Sequence, residues 1–496
     1  MMNFDKLYDL SFPLSEDKEP LYFQGQYKYL EGKAVIQLGD LLDLGTYFNS
    51  FSIAKWIDYT TIKKIKVTLQ LKGKFLVDFY GMNLNGEVEV LRIKCENSIE
   101  RVFNAMDFGD FTLIGIRLTA MSDEAEFLGG SYYGSFDTER EVNTGITICT
   151  FKREKYLLPN LDKLKALTEL NPNINVMVID NGQTLEEVST PELQVIHNPN
   201  FGGAGGFTRG MMEQVRQGKN SHVILMDDDV IIELSAIERL YSMLRHLKAE
   251  HQSKFFAGAM LILDKPTIQH ENTACFNKII RNSFGHNFDL SNKNILCKNE
   301  SAPKRLNTYA AWWFCCIPTE QIKKIGYPLP IFIKCDDMEY SFRNQQDILT
   351  MNGVSVWHEA FENKVNLIMG YYFGNRNTLL MNHFAEGCGR LTFITAVLGR
   401  ITKSLLNGNF DGLRMLELAL TDLNTGLKGM TDLPADEKFD MLKKYPLTKN
   451  IVMAIFSIIK LTFQHCLDYD KLDTGYKTFR KDQLTNQKFW RQYLNI

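Results

Sequence analysis

His222-Val223-Ile224-Leu225-Met226-Asp227-Asp228-Asp229-Val230 is an apolar run that ends, without a spacer, in three carboxylates. A run of this length and composition reads as a strand buried on both faces, of the kind found inside a parallel sheet. Helical periodicity follows at once over about 235–250, so the carboxylates are held at a strand end rather than spread through a solvated loop. Alternation along an extended chain puts Asp227 and Asp229 on one side and Asp228 on the other. Three adjacent carboxylates repel one another. A hard divalent cation, Mn2+ or Mg2+, ligated by oxygens and shared with a diphosphate, relieves that repulsion.

Working outward, strands are read at 145–151, 174–180, 193–197 and 255–263, with helical periods at 157–170 and from the glycine loop through Gln217. Buried strands alternating with helices imply an α/β parallel sheet, with ligands at the carboxyl ends of the strands, where Asp180, Asn200 and Asp227 to Asp229 fall. Before residue 141 the rhythm is different. Short β-branched or aromatic runs at 21–30, 34–38, 65–71, 74–80, 87–93 and 111–120, separated by Gly, Asn and Asp, read as an antiparallel β-sandwich over 1–140. The α/β region covers 141–385. From 386 to 496 only helical periods remain, at 391–406, 413–427, 451–466 and 483–494, giving a C-terminal helical domain.

The chain has 496 residues, enough for two or three domains, and 45% of them are hydrophobic against 23% charged, the balance of a globular protein. A net charge of -3 gives no pull toward nucleic acid. Nine scattered cysteines without a CxxC pair suggest neither a disulfide framework nor a zinc site, and fit a reducing cytoplasm. The first residues lack the order of a signal peptide. No run approaches a membrane span, the longest, 451–463, being interrupted by Lys460. The end of the chain is locally basic, which reads either as a solvated face or as peripheral contact of the C-terminal helices with an anionic membrane.

Four further motifs offer chemistry. Asn198-Pro199-Asn200-Phe201-Gly202-Gly203-Ala204-Gly205-Gly206-Phe207 leads into a helix whose free amides suit a phosphate, although a tight structural turn explains the glycines equally well. It is neither a dinucleotide fingerprint nor a P-loop. Arg209, one turn in, pairs with either a phosphate or a surface carboxylate. After an expected strand at 331–333, Cys335-Asp336-Asp337-Met338-Glu339 opens a helix. Asp336 and Glu339 are spaced as a capping pair; Asp337, without that duty, is suited either to act as a general base or to stabilise the helix dipole in the first turn. Trp357-His358-Glu359 ends a strand, and the His358 imidazole suits a metal already bound by carboxylates. Trp312-Trp313 stack on sugar faces or fill a core, and Tyr372 with Asn375-Arg376-Asn377 offers polar contacts.

In this order the motifs NPNFGGAGGF, MDDDV, AWWFCCIP, IKCDDMEY, VWHE and YYFGNRN resemble the GT-A glycosyltransferases of family two, and among them the bacterial galactofuranosyltransferases that build galactan polymers. The resemblance implies Asp227, Asp229 and His358 as ligands of Mn2+ or Mg2+, and Asp337 as the base of an inverting displacement. It implies donor contacts from Thr150, Arg153, Asp180, Asn200, Gly202, Gly203, Arg209, Asp228 and Arg376, and acceptor contacts from Trp312, Trp313 and Glu339. Its implied partners are a UDP-sugar donor and a glycan or glycolipid acceptor. A homo-oligomer in the cytoplasm or at the inner face of the membrane, serving cell-surface polysaccharide synthesis, is the matching expectation. The competing readings are a family-two enzyme using another nucleotide sugar, such as a rhamnosyltransferase, and a non-catalytic sugar-binding protein.

Overall fold

In the computed structural model, residues 3–30, 32–277, 280–301, 305–360, 366–431, 435–445 and 450–496 are described. Two antiparallel sheets form from the β-rich start of the chain. One is centred on β1 (Ile62–Lys72) and β5 (Ala125–Phe136), with β3 (Ile99–Asn104) at its edge; the other on β2 (Lys74–Asn83) and β4 (Leu113–Ala120). Alternation drives their packing: Ile65, Val67, Leu69 and Leu71 of β1 are buried while their neighbours are wet. The faces meet through aromatic pairs such as Phe79 and Phe103, 5.0 Å apart. The expected strand at 21–30 is corrected. Residues Glu16–Leu21 form a 3-10 helix around Pro20, leaving only Gln24–Gly25 and Lys28–Leu30 in strand.

The next region holds a seven-stranded sheet. Its parallel core runs β8 (Leu193–His197), β7 (Ile174–Asp180), β6 (Thr144–Thr150), β9 (His222–Asp227), and then antiparallel β12 (Phe314–Pro318). The register sets Cys149 opposite Asp227 and Thr150 opposite Asp180, so three strand ends open side by side. Helices α1 (Glu154–Leu170), α2 (Gly202–Gln217) and α3 (Leu234–His246) make the crossovers. The single strand expected over 255–263 is in fact two. Phe256–Ala257 joins this sheet, Gly258 turns the chain, and β11 (Ala259–Ile262) enters a second, five-stranded sheet. There β10 (Val230–Ile232) lies antiparallel and β11 parallel to β13 (Ser355–His358). The aspartate run and His358 are therefore neighbours by strand pairing: Val230 sits opposite His358.

Residues from the β-rich start of the chain back this second sheet. Phe48 packs on Trp357 at 5.6 Å, the Trp357 indole donates to Pro266 O at 3.0 Å, and Tyr22 donates to Glu233 at 2.6 Å. One side chain away from His358, the strand is thus anchored in aromatic core.

After α4 (Asp336–Asn344) and α5 (Gly374–Leu380) come the helices α6 (Arg390–Leu406), α7 (Phe410–Asn424), α8 (Ala435–Lys444) and α9 (Ile451–Gln483). The last is about twice the expected length. Among the described residues α9 is also the one helix long and apolar enough to cross a membrane by length and composition, which corrects the reading of 451–463 as too interrupted. A single Lys460 does not cancel so apolar a run.

Candidate active site

The three strand ends border an open cleft of about 430 Å³. Its floor is Cys149, Thr150, Asp227 and Asp228, one wall is Asn200, Gly202 and Gly203, and Phe439, Asp440 and Lys443 reach over from α8. Of the expected donor residues, Thr150, Arg153, Asn200, Gly202, Gly203 and Asp228 line this cleft. Those from α8 were missed. Nothing in the sequence of a distant amphipathic helix marks it as a cleft wall.

Asp227, Asp229 and His358 each bring a ligand atom within 4.8 Å of the others. His358 Nδ1 lies 2.6 Å from Glu359 O, so that nitrogen donates to the carbonyl and Nε2 faces Asp229 Oδ1 at 3.0 Å. A backbone carbonyl that fixes the imidazole tautomer is the usual support of a metal-binding histidine. Two carboxylates and one imidazole also make a donor set suited to Mn2+. Burial pushes the Asp227 carboxyl well above its ordinary range, with Asp229 and Asp228 adding to the rise. A cation would reverse this. The strand ends at Asp227, and Asp228, in the turn that follows, accepts from Thr150 Oγ1 at 2.7 Å, apart from the cluster of Asp227, Asp229 and His358. Arg153 spans the run, ion-paired to Asp229 and 4.0 Å from Asp228.

The expected strand at 331–333 is absent. Phe332, Lys334 and Cys335 all have positive φ, at 69°, 65° and 66°, which is costly for residues carrying a Cβ and typical of segments whose shape serves a site. The structure shows what holds them. The buried Asn377 amide bonds Ile331 O, Ile333 O and Lys334 O at 3.1, 2.7 and 3.1 Å, and Arg376 bonds Ile331 O at 3.0 Å. Arg376 was expected at the donor. It is instead buried behind this loop, stacked near Tyr372 and Phe373, because the strained carbonyls need donors.

The loop also explains one glycine. Gly202 has φ +69°, and a Cβ there would stand 2.3 Å from Phe332 O. Farther along α2, Cβ atoms at Gly206 and Gly210 would strike Cys149 and Thr147 of β6. The glycines thus serve close backbone and sheet packing, and Gly202 and Gly203 face the cleft besides.

The capping pair is a further correction. The helix begins at Asp336, the position before it is Cys335, and Glu339 is fully buried in ion pairs with Arg343 and with Arg480 of α9. Glu339, expected at the acceptor, therefore ties α4 to the last long helix. Asp336 and Asp337 differ in surroundings. Asp336 Oδ2 lies 3.6 Å from where a Gly203 Cβ would stand, on the donor side; Asp337 is influenced by Arg281 and Glu271, which are themselves ion-paired. Burial, then Asp336, raises the Asp337 carboxyl far above its usual range. The Glu271–Arg281 pair carries no motif and was not anticipated.

Three more expected residues sit away from the cleft. Asp180 is fully buried, its oxygens taken by the amides of Gly182, Thr184 and Leu185 at 2.9, 2.7 and 2.8 Å. It shapes the loop after β7. Arg209 pairs with Glu213 on its own helix at 3.2 Å, the carboxylate alternative rather than the phosphate. Trp313 donates to Gly258 O at 2.9 Å from within the core. Trp312 is equally buried, yet its indole N–H has no partner among the described residues and its ring meets the cleft residue Phe207 at 5.4 Å.

Residues 143–360 match the family model described as "Glycosyltransferase like family 2". The chain is 26% identical to galactofuranosyltransferase GlfT2 of Mycobacterium tuberculosis over 378 residues, 68% of this chain and 58% of that protein. To GlfT2 of Mycolicibacterium smegmatis it is 25% identical over 372 residues, covering 68% and 57%. It thus spans less than two thirds of the length of these relatives. A crystal structure of residues 1–349 of TarS from S. aureus is similar at 15% identity and a TM-score of 0.36, covering 69% of this chain and 92% of that one, a likeness too slight to weigh. By family model and by motif alike, residues 143–360 carry the signature of glycosyltransferase-like family 2.

Proposed function

We propose that the chain is an inverting, metal-dependent galactofuranosyltransferase moving galactofuranose from UDP-galactofuranose to a glycan acceptor. The observation that carries the reading is the convergence of Asp227, Asp229 and His358 within 4.8 Å at the end of β9, on the rim of the cleft. Support for the donor sugar comes from the two relatives' names.

The cleft is large enough for a nucleoside diphosphate sugar. Asp227, Asp229 and His358 would hold the Mn2+ or Mg2+, which supplies Lewis-acid stabilisation of charge on the departing diphosphate. Thr150 keeps Asp228 turned from the cation by donating to it, and Arg153 shares the charge of the run. At the start of α2 the Gly202 and Ala204 amides already donate to Asn200 Oδ1 and Phe332 O, so the diphosphate would draw on Gly203 and the positive end of the helix, and Lys443 adds the second cation of the lining after Arg153. Asp337 takes the acceptor hydroxyl's proton. Its raised affinity for a proton makes it a better base than an exposed carboxylate. Asp336 stays with the donor side, and the strained loop beneath both fixes their separation, supplying orientation. The acceptor approaches from the Glu271–Arg281 side, with Trp312 near the donor sugar.

Asp337→Asn should lower transfer at least a thousandfold while Mn2+ still raises the melting temperature; Asp229→Asn should remove that Mn2+ shift as well. Full transfer in excess chelator would sink the metal reading. A second donor is tested alongside because the cleft lining includes Phe151, Phe207, Phe332 and Ile333, which carry no polar group to tell one sugar from another. Turnover of dTDP-rhamnose above UDP-galactofuranose would decide for it.

A further inference from the structure

Helix α8 is a cleft wall with few anchors. Among its described side chains only Leu442 is buried, in a small apolar cluster apart from the main core that it shares with Tyr372, Phe373 and Met415. Phe332 and Ile333 of the base loop pack on the same cluster. Phe439 stacks on Phe373 at 6.2 Å, yet it also borders the cleft, together with Asp440 and Lys443. One buried leucine and one stacked ring do not by themselves fix how this 10-residue helix is rolled about its axis.

An ion pair fixes it. Lys438 Nζ meets Asp422 Oδ2 of α7 at 2.5 Å, with the two side chains only 14% and 17% exposed, and Tyr372 donates its hydroxyl to the same carboxylate. Lys438 and Leu442 are four residues apart and so lie on one face of α8; Phe439 and Lys443 share the neighbouring face. Holding the first face against α7 therefore turns the second toward the cleft. There Lys443 Nζ stands 5.3 Å over the Phe439 ring and 3.0 Å from Asp440 Oδ1. That last pair is 60% and 64% exposed, and a surface pair of this kind contributes little, so an anion in the cleft competes for the ammonium on good terms.

We infer that the Lys438–Asp422 pair holds Lys443 at the diphosphate of the donor, which makes the C-terminal helices part of the donor site. The inference rests on the transferase reading and deepens it. The cleft lining sets Asp227, Asp228 and Asp440 against two cations, Arg153 and Lys443, and Arg153 is already ion-paired to Asp229. Lys443 is thus the cation of the lining that the aspartate run does not claim, and a compact ammonium suits a phosphate oxygen. Lys438 does not line the cleft, so it is a positioning residue whose effect passes through Lys443.

Titration calorimetry of the whole chain with UDP and with uridine, in saturating Mn2+, tests this. Lys443→Met should weaken UDP about tenfold, the contribution of one hydrogen bond to a charged group, and leave uridine within about twofold. Lys438→Met should do the same, and Lys438→Arg should restore UDP to within about threefold, because it keeps the charge facing Asp422. The double variant Lys438→Met/Lys443→Met should bind UDP no more weakly than Lys443→Met alone, as expected of residues that act as a unit. Additive losses in the double variant would overturn the inference, as would UDP binding by Lys438→Met within about twofold of wild type. An equal loss of uridine and UDP would overturn it too, by showing a general collapse of the cleft. Lack of UDP binding by the wild-type chain would sink the transferase reading and the inference with it, whereas UDP binding indifferent to both lysines would sink the inference alone.

Discussion

Replacing Gly202 by Ala asks two things of the chain at once. The residue sits at φ +69°, where a Cβ costs about 1–2 kcal/mol. The new methyl would also stand 2.3 Å from Phe332 O, while real contacts of this kind do not fall below 3.0 Å, so the carbonyl must retreat by about 0.7 Å. That carbonyl is not free to move harmlessly. It accepts from Ala204 N at 3.1 Å and begins the left-handed turn that ends at Asp336 and Asp337. Misplacement of a reacting group by about 1 Å costs on the order of a hundredfold in rate, so the expected loss is roughly ten- to a hundredfold. Gly203→Ala is the matched control. Its φ is not positive, and its nearest foreign atom is Asp336 Oδ2 at 3.6 Å, an ordinary contact. Single-turnover transfer from UDP-galactofuranose, with a melting curve for each variant, reads both effects. Gly202→Ala within threefold of the wild-type rate would refute the claim that the glycine loop positions the base loop.

Asn377→Asp keeps the size of the side chain but removes both donors and sets a carboxylate among three carbonyl oxygens. A loss of about 3 kcal/mol or more is expected, read as a lower urea midpoint together with lost transfer. An unchanged midpoint would mean the amide is no brace. A pH effect is expected among the C-terminal helices. Burial lowers His383 to about 4 and His465 to about 3, and their Nε2 atoms lie 3.1 Å apart. The unfolded chain therefore takes up protons below about pH 6.5 that the folded chain refuses, and stability falls as pH drops from there toward 4. His465→Gln should flatten the melting temperature against pH over that window, and equal slopes in the two proteins would exclude the pair as the cause.

The legible parts were those whose cause is local. An apolar run ending in carboxylates fixes a strand and its charged end within nine residues; the grouping of Asp227 with Asp229 apart from Asp228 is found as expected, although the turn after Asp227 and the Thr150 hydroxyl, not strand alternation, produce it. His358 could be placed because strand ends gather on one side of a sheet, and its pairing opposite Val230 brought it there. What escaped depends on remote partners. Residues 331–333 alternate like a strand, but Asn377 and Arg376 bend them into a left-handed path. Glu339 has the spacing of a cap, but Arg480, some 140 residues later, claims it. Asp180 ends a strand as ligand-binding aspartates do, yet three amides in the following turn take it first. In each case a buried polar group was satisfied by whatever donor the fold brought nearest.

The brace on the base loop gives the chain a boundary that its motifs conceal. Every acidic group of the proposed chemistry lies within residues 143–360, the span that the family model matches. A chain cut after residue 360 would keep them all and lose Arg376, Asn377 and Arg480, the donors that hold Ile331 to Lys334 and Glu339 in place. It would carry the full chemical vocabulary of the site without the syntax, and its Asp337 would have no fixed position from which to act. The residues that brace the loop therefore extend through α5 to Arg480 near the end of α9, well past the span that the family model matches.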